Sequence, residues 1–402
     1  MRSTRREFLQ QLAVFSAAGF APQFVARAAL AEANAIQGFK DDRVLVVVQL
    51  GGGNDGLNTI VPYGDDAYYR ARPKLGLKDD RLLRLNDHLA MNSDMTGMMR
   101  LYDSGKLSVL QGVGYPNPDR SHFRSMEIWH TASASDEFLS RGWLGRYFDN
   151  QCSGSARPQA GLALDAERPQ AFEGERGFGI AATDPNRFGW DRGDLFSDDS
   201  LFTGINAPAS AANPTLDFLR HTTLNASASS EQVRAAASKG KVTAPGKFNQ
   251  LDAIAGLIRG GLETRVYYVS TSGFDTHANQ LTQHKTLWTR VSAALEKFQR
   301  QLEKDGTADR VTTLVFSEFG RRVSENASGG TDHGTAAPAF LIGNHIQPGL
   351  HGQTPSLTDL DRGDLKYTTD FRSVYASLLE DWFEADATAI LGAQFGKLPL
   401  LA

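Results

Sequence analysis

The run Arg43-Val-Leu-Val-Val-Val-Gln-Leu50 is apolar almost throughout and stops at Gly51-Gly52-Gly53. A strand with one wet face alternates apolar and polar residues. A run without alternation must be buried on both faces, which is the mark of an interior strand of a parallel sheet. Shorter runs recur at Leu107–Gly112, Val266–Thr271, Thr312–Phe316 and Ala339–Ile342. Between them lie helical patterns, the clearest carried by Leu287, Val291, Ala294, Leu295, Phe298 and Leu302. Strands alternating with helices predict an α/β fold with a mainly parallel sheet and helices on both faces, a three-layer sandwich.

Charge narrows the function classes. The 42 Lys+Arg residues are offset by 46 Asp+Glu, a net charge of −4, and no basic run could neutralise several phosphates. Nucleic acid is therefore not an expected partner. Cys152 is the single cysteine, so neither an internal disulfide nor a Cys-rich metal site is available.

Residues 1–31 read as an address. Arg5-Arg6-Glu7-Phe8-Leu9 precedes a short, weak apolar stretch and the alanine pairs Ala26-Arg27-Ala28 and Ala29-Leu30-Ala31. This resembles a twin-arginine export signal and is too short to span a bilayer. It implies passage through the twin-arginine export machinery to a periplasmic or secreted location, and no integral membrane segment. Residues 40–402 then form the α/β domain. An Ala/Ser/Pro-rich stretch at about 206–247 reads as a helical insertion within it.

Ligands of an open α/β sheet bind at the carboxyl ends of its strands. Four such ends carry Asp, Glu or His beside glycine. After the first strand, Asp55 is either a ligand for a hard cation or a turn cap. After the second, Ser121 opens a helix as a nucleophile or a plain N-cap. After the third, Asp275 and His277 suit a mixed N/O metal site, unless Asp275 only caps the next helix; His284 lies two turns beyond. After the fourth come Glu318 and Arg321, a carboxylate and an anion-binding guanidinium, then Asp332-His333 between glycines. Asp332 is either a ligand or the residue that orients His333. His351 is a weaker candidate.

Taken together, Gln49-Leu-Gly-Gly-Gly-Asn-Asp-Gly-Leu-Asn58, Arg120-Ser-His-Phe-Arg-Ser125, Gly273-Phe-Asp-Thr-His-Ala-Asn279, Ser317-Glu-Phe-Gly-Arg321, Gly329-Gly-Thr-Asp-His-Gly334 and Thr369-Asp-Phe-Arg-Ser-Val-Tyr375 resemble the exported bacterial proteins grouped as domain of unknown function 1501. That grouping lies in the alkaline phosphatase–sulfatase superfamily. The resemblance implies an α/β/α sandwich and a divalent metal (zinc, calcium or manganese) held by Asp55, Asp275, His277, Glu318, Asp332 and His333. It implies Ser121 as nucleophile, with Ser125 as a rival. Arg321 or Arg124 would stabilise developing charge. The usual Asp-His-Gly after the late strand is here Glu318-Phe319-Gly320, and phenylalanine cannot bind a metal. Two functions follow. One is an exported metal-dependent hydrolase of a phosphate or sulfate ester; the other is a non-catalytic envelope binding or assembly protein on a degenerate hydrolase scaffold.

Overall fold

The computed structural model describes residues 42–151, 158–175, 179–189, 214–246 and 249–401. Residues 1–31, read as an export signal, and Cys152 lie outside them. The chain divides into two compact units, Arg43–Ser140 with Pro245–Ala255 and Arg265–Ala402, and Arg141–Ala244 with Gly256–Thr264.

The first unit is built on a sheet of strands β1 (Val44–Gly51), β2 (Leu107–Gly114), β3 (Val266–Ser272), β4 (Val311–Phe316), β5 (Ala337–Ile342) and β6 (Gly349–His351). Their spatial order is β6-β2-β5-β4-β1-β3. β1 pairs in parallel with both β3 and β4, Val46 lying opposite Tyr267 on one side and Thr313 on the other. β6 runs parallel to β2. β5 is antiparallel to both of its neighbours. This is the expected α/β class with a mainly parallel sheet, reversed at one strand. From Val44 to Val48, β1 is buried on both faces, as its unbroken apolar run requires.

That topology fixes where polar residues gather. β1, β2, β3 and β4 share one direction, so the loops that follow them emerge at one edge. β5 runs back, so the segment that feeds it reaches the same edge. Glycines let these loops meet. Gly52 has φ +118° and Gly53 φ +76°, values that L-residues with a side chain rarely adopt. A Cβ on Gly52 would strike the backbone of Asp275, and one on Gly53 the ring of Phe319.

Helices α1 (Thr96–Asp103) and α2 (His122–Thr131) flank β2 in the chain, and the second unit contributes α3 (Pro214–Lys239). α4 (Gln280–Lys304) follows β3 and buries Leu287, Val291, Leu295, Phe298 and Leu302. It packs on α1, where Ser292 Oγ accepts from Met98 N at 2.8 Å. In the second unit, the strand Gly161–Ala163 pairs in parallel with Ile180–Ala181. α3 lies in the span read as an insertion; residues 206–213 and 247 of that span fall outside the described ones. Among the described residues no helix is long and apolar enough to cross a membrane.

Candidate metal centre

Three histidines meet one aspartate at this edge. His122 begins α2, Asp275 and His277 lie in the loop after β3, and His333 lies in the segment leading to β5. Asp275 Oδ1 is 2.9 Å from His277 Nε2 and 3.1 Å from His333 Nε2. Its Oδ2 is 3.5 Å from His122 Nε2. Ligand atoms of His122, Asp275 and His333 all fall within 4.8 Å of one another.

Each imidazole is held from behind through Nδ1. His122 Nδ1 is 2.8 Å from Glu318 Oε1, His277 Nδ1 is 3.2 Å from Asp332 Oδ1, and His333 Nδ1 is 2.8 Å from the carbonyl of Arg120. All three partners are acceptors, so each Nδ1 carries a proton, and in the neutral rings the Nε2 lone pairs face inward. Arg321 corroborates this at His277. Its guanidinium can only donate, and Nη1 approaches His277 Nε2 at 3.4 Å.

Lone pairs so placed call for a cation. His277 Nε2 and His333 Nε2 are 2.9 Å apart, a repulsive contact unless a proton or a metal ion lies at their meeting point. His122 Nε2 is buried and has no hydrogen-bond partner. Buried polar atoms are seldom left unpaired, and metal-bound histidines characteristically give their other nitrogen to a carboxylate or carbonyl. The donor set therefore fits a divalent ion.

Electrostatics favour positive charge at this place. Partial burial works against the Asp275 carboxylate, but the hydrogen bond and charge of Arg321 outweigh it, with His333 and His277 adding to them. Its pKa falls to about 2. The Glu318 hydrogen bond lifts His122 above the usual histidine value, against the effect of burial. Phe319, 2 % exposed, forms an apolar wall. Its ring centroid lies 4.8 Å from that of His122 and 5.0 Å from that of His333.

Residues 42–371 match the family described as "Protein of unknown function (DUF1501)". The chain belongs to this family. No curated protein matches it. In structure, this DUF1501 protein is similar to a protein of the alkaline phosphatase superfamily from Vibrio parahaemolyticus at 10% identity, covering 97% of this chain and 78% of that one with a TM-score of 0.38. It is similar to a lipoteichoic acid synthase from Listeria monocytogenes at 9% identity, covering 96% and 78%, with a TM-score of 0.37. A phosphonate monoester hydrolase from Silicibacter pomeroyi matches at 8% identity over 89% and 78%, TM-score 0.38.

Of the residues expected at a metal site, the edge brings together Asp275, His277 and His333, and beside them stands His122, which the sequence reading passed over for its neighbour Ser121. Glu318 stands one shell back from the place expected of it. Besides His122, its Oε1 accepts from Gly52 N at 2.8 Å, so it orients the ring rather than offering a free ligand atom. Asp332 orients a histidine too, but the ring is that of His277.

Asp55 lies away from the group. It is fully buried in an ion pair with Arg72, Oδ2 to Nη1 2.5 Å, and also accepts from Gln280. Oδ2 is thus taken, and the buried Oδ1 has no hydrogen-bond partner. Arg321 spends its donors on the protein. It bonds the carbonyls of Gly53 (2.7 Å), Thr331 (2.9 Å), Phe274 (3.3 Å) and Gly52, and Asp275 Oδ1 (2.5 Å). It is the tie between these loops, with no N–H left for a substrate. Arg124 points to the carbonyls of Ser135 and Glu137 and pairs with Glu127.

Ser121 occupies the N-cap of α2, exposed, and its hydroxyl makes no capping bond. Ser125, the rival nucleophile, is buried; it donates to the Glu318 carbonyl at 2.6 Å and accepts from Tyr115 Oη at 2.8 Å. His284 is buried against Asn54, and His351 bonds the Gln347 carbonyl. Neither joins the centre.

Proposed function

We propose that this protein is an exported, metal-dependent hydrolase of phosphate or sulfate esters. The observation that carries the reading is the convergence of the His122, His277 and His333 Nε2 atoms on the Asp275 carboxylate, with every Nδ1 anchored from behind. Those four side chains would hold the ion. Three nitrogens and one carboxylate suit zinc or manganese better than calcium, which takes six or more oxygens. Such an ion supplies Lewis acidity, drawing charge from the oxygens of an anionic ester and lowering the pKa of a hydroxyl beside it.

The chain's own residues do the rest. Glu318 fixes the His122 ring and Asp332 the His277 ring, so the ligands need little reorganisation when charge develops. Phe319 keeps one side of the centre dry, which strengthens electrostatic interactions there. Ser121, next to a ligand and free of a capping bond, is the candidate nucleophile. The export signal read in residues 1–31 would place the reaction in the periplasm or outside the cell.

Metal analysis of the purified protein and a panel of phosphate and sulfate esters test the reading, with Asp275→Asn and His333→Ala as controls. Bound transition metal and an esterase activity that both substitutions abolish are expected. Absence of metal, or activity indifferent to both substitutions, would sink it. Metal without hydrolysis would instead favour the envelope assembly protein.

A further inference from the structure

Beside the metal centre lies a charged group with no part in holding the ion. Asp364 has a fully buried side chain at the end of a short antiparallel hairpin, Leu360–Asp361 with Asp364–Leu365. Two guanidiniums approach it. Arg120 bonds its Oδ2, and Arg322 Nε stands 3.9 Å from Oδ1. Oδ1 itself has no hydrogen-bond partner. The two arginine side chains are 35% and 37% exposed while the carboxylate between them is at 0%. Toward solvent, the group therefore presents its two guanidiniums and hides the Asp364 carboxylate, with the exposed carboxylates of Asp332 beside Arg322 and Asp361 beside Asp364.

Its position is set by the centre itself. The Arg120 carbonyl receives the Nδ1 proton of His333, so one residue has its backbone against a metal ligand and its charge on Asp364. Arg322 directly follows the tie residue Arg321. Its N–H bonds the carbonyl of Asp332, the residue that orients His277. The hairpin is fastened to the same segment, since Thr335 Oγ1 donates to the Leu365 carbonyl.

With Arg321 fully occupied inside, these are the guanidiniums available to an anion at the flank of the centre. Among the described residues the Arg322 guanidinium makes one hydrogen bond, to Arg362 O at 3.4 Å, so its fork can turn to a planar oxyanion. We propose that Arg120 and Arg322 form a second anion subsite, and that the substrate is an ester bearing a further carboxylate, phosphate or sulfate group. The inference rests on the hydrolase reading for the place of the reacting ester, and the test separates the two.

Calorimetric binding of phosphonoacetate and its longer carboxyalkyl homologues is compared with that of alkyl phosphonates of equal chain length, which the protein cannot hydrolyse at the C–P bond. The wild-type protein should prefer the carboxyalkyl member by roughly tenfold at the best length, the size expected of one partly desolvated charge pair. Arg322→Gln should lose that preference and bind the alkyl phosphonates as before. Arg322→Lys should keep part of it, and Arg300→Gln, the same charge change on the exposed surface of α4, should keep all of it. No preference in the wild-type protein, or one that survives Arg322→Gln, overturns the subsite. If only the hydrolase reading fails, the ester panel is blank while the preference persists. If only the subsite fails, metal and alkyl phosphonate bind without preference.

Discussion

Glu318 holds His122 by the nitrogen that faces away from the centre, with Oε1 2.8 Å from Nδ1. The carboxylate is itself pinned by Gly52 N and lies 3.1 Å from Ser317 Oγ. A glutamate at a strand end thus acts through an imidazole rather than on a cation directly. Its effect on affinity is indirect but measurable.

Glu318→Ala should weaken metal binding by about 10- to 100-fold, the range seen when the partner of a ligating histidine is lost. Glu318→Gln, whose amide oxygen still accepts from Nδ1, should lose less. Competition titration against a chromogenic chelator reads both. Equal affinity in Glu318→Ala and wild type would show that His122 is not a ligand.

Arg321 joins the loops after β1, β3 and β4 through the carbonyls of Gly52, Gly53, Thr331 and Phe274, the last of which also accepts from Thr276 N. Arg321→Met should cost roughly 2–4 kcal/mol of stability, because buried carbonyls lose their donor while Asp275 is half open to solvent. Urea denaturation measures it. A loss below about 1 kcal/mol, the worth of an exposed pair, would contradict the role of tie.

Asp55 and Arg72 form a buried pair, both side chains at 0% exposure. Arg72→Met should destabilise by roughly 3–5 kcal/mol because it strands the Asp55 carboxylate, and adding Asp55→Leu should recover much of that loss. Metal content should be unchanged in the double variant if it folds. A fall in metal content alongside native-like spectra would return Asp55 to the ligand set.

His284 gives stability a pH dependence. Burial lowers its pKa from 6.5 to about 4. Between those values the unfolded chain takes up a proton that the folded one refuses. Stability is therefore full above about pH 6.5 and falls as pH drops toward 4, by on the order of 3 kcal/mol for this one residue. His130, also lowered to about 4 by burial, adds to the fall. His122 works the other way, since its raised pKa gives stability below 6.5 that is lost as pH rises through its folded value. Urea midpoints from pH 7 to 5 should decline, and His284→Gln should flatten the slope. An unchanged slope would mean that His284 is protonated in the fold.

The strands were legible because burial on both faces leaves a plain mark in sequence. The run ending at Leu50 became β1, and the pattern from Leu287 to Leu302 lies within α4. The reversal of β5 was not legible, for a buried strand reads the same in either direction. Asp275, His277 and His333 could be proposed as ligands from their places at strand ends. What those positions conceal is which way a ring faces. The His333 tautomer depends on a carbonyl from Arg120, and a backbone acceptor leaves no trace in residue type. His122 was hidden by the same blindness, since its Glu318 partner comes from another strand end. The partner of Asp55, Arg72, was equally hidden, since nothing in residue type pairs two positions so far apart in the chain.

Since the centre draws on loops after β2 and β3 and on the segment entering β5, no stretch of nascent chain holds more than a fragment of it. An ion held by all four side chains would be acquired only once the whole edge has closed, so the compartment in which folding finishes would decide which ion is first on offer.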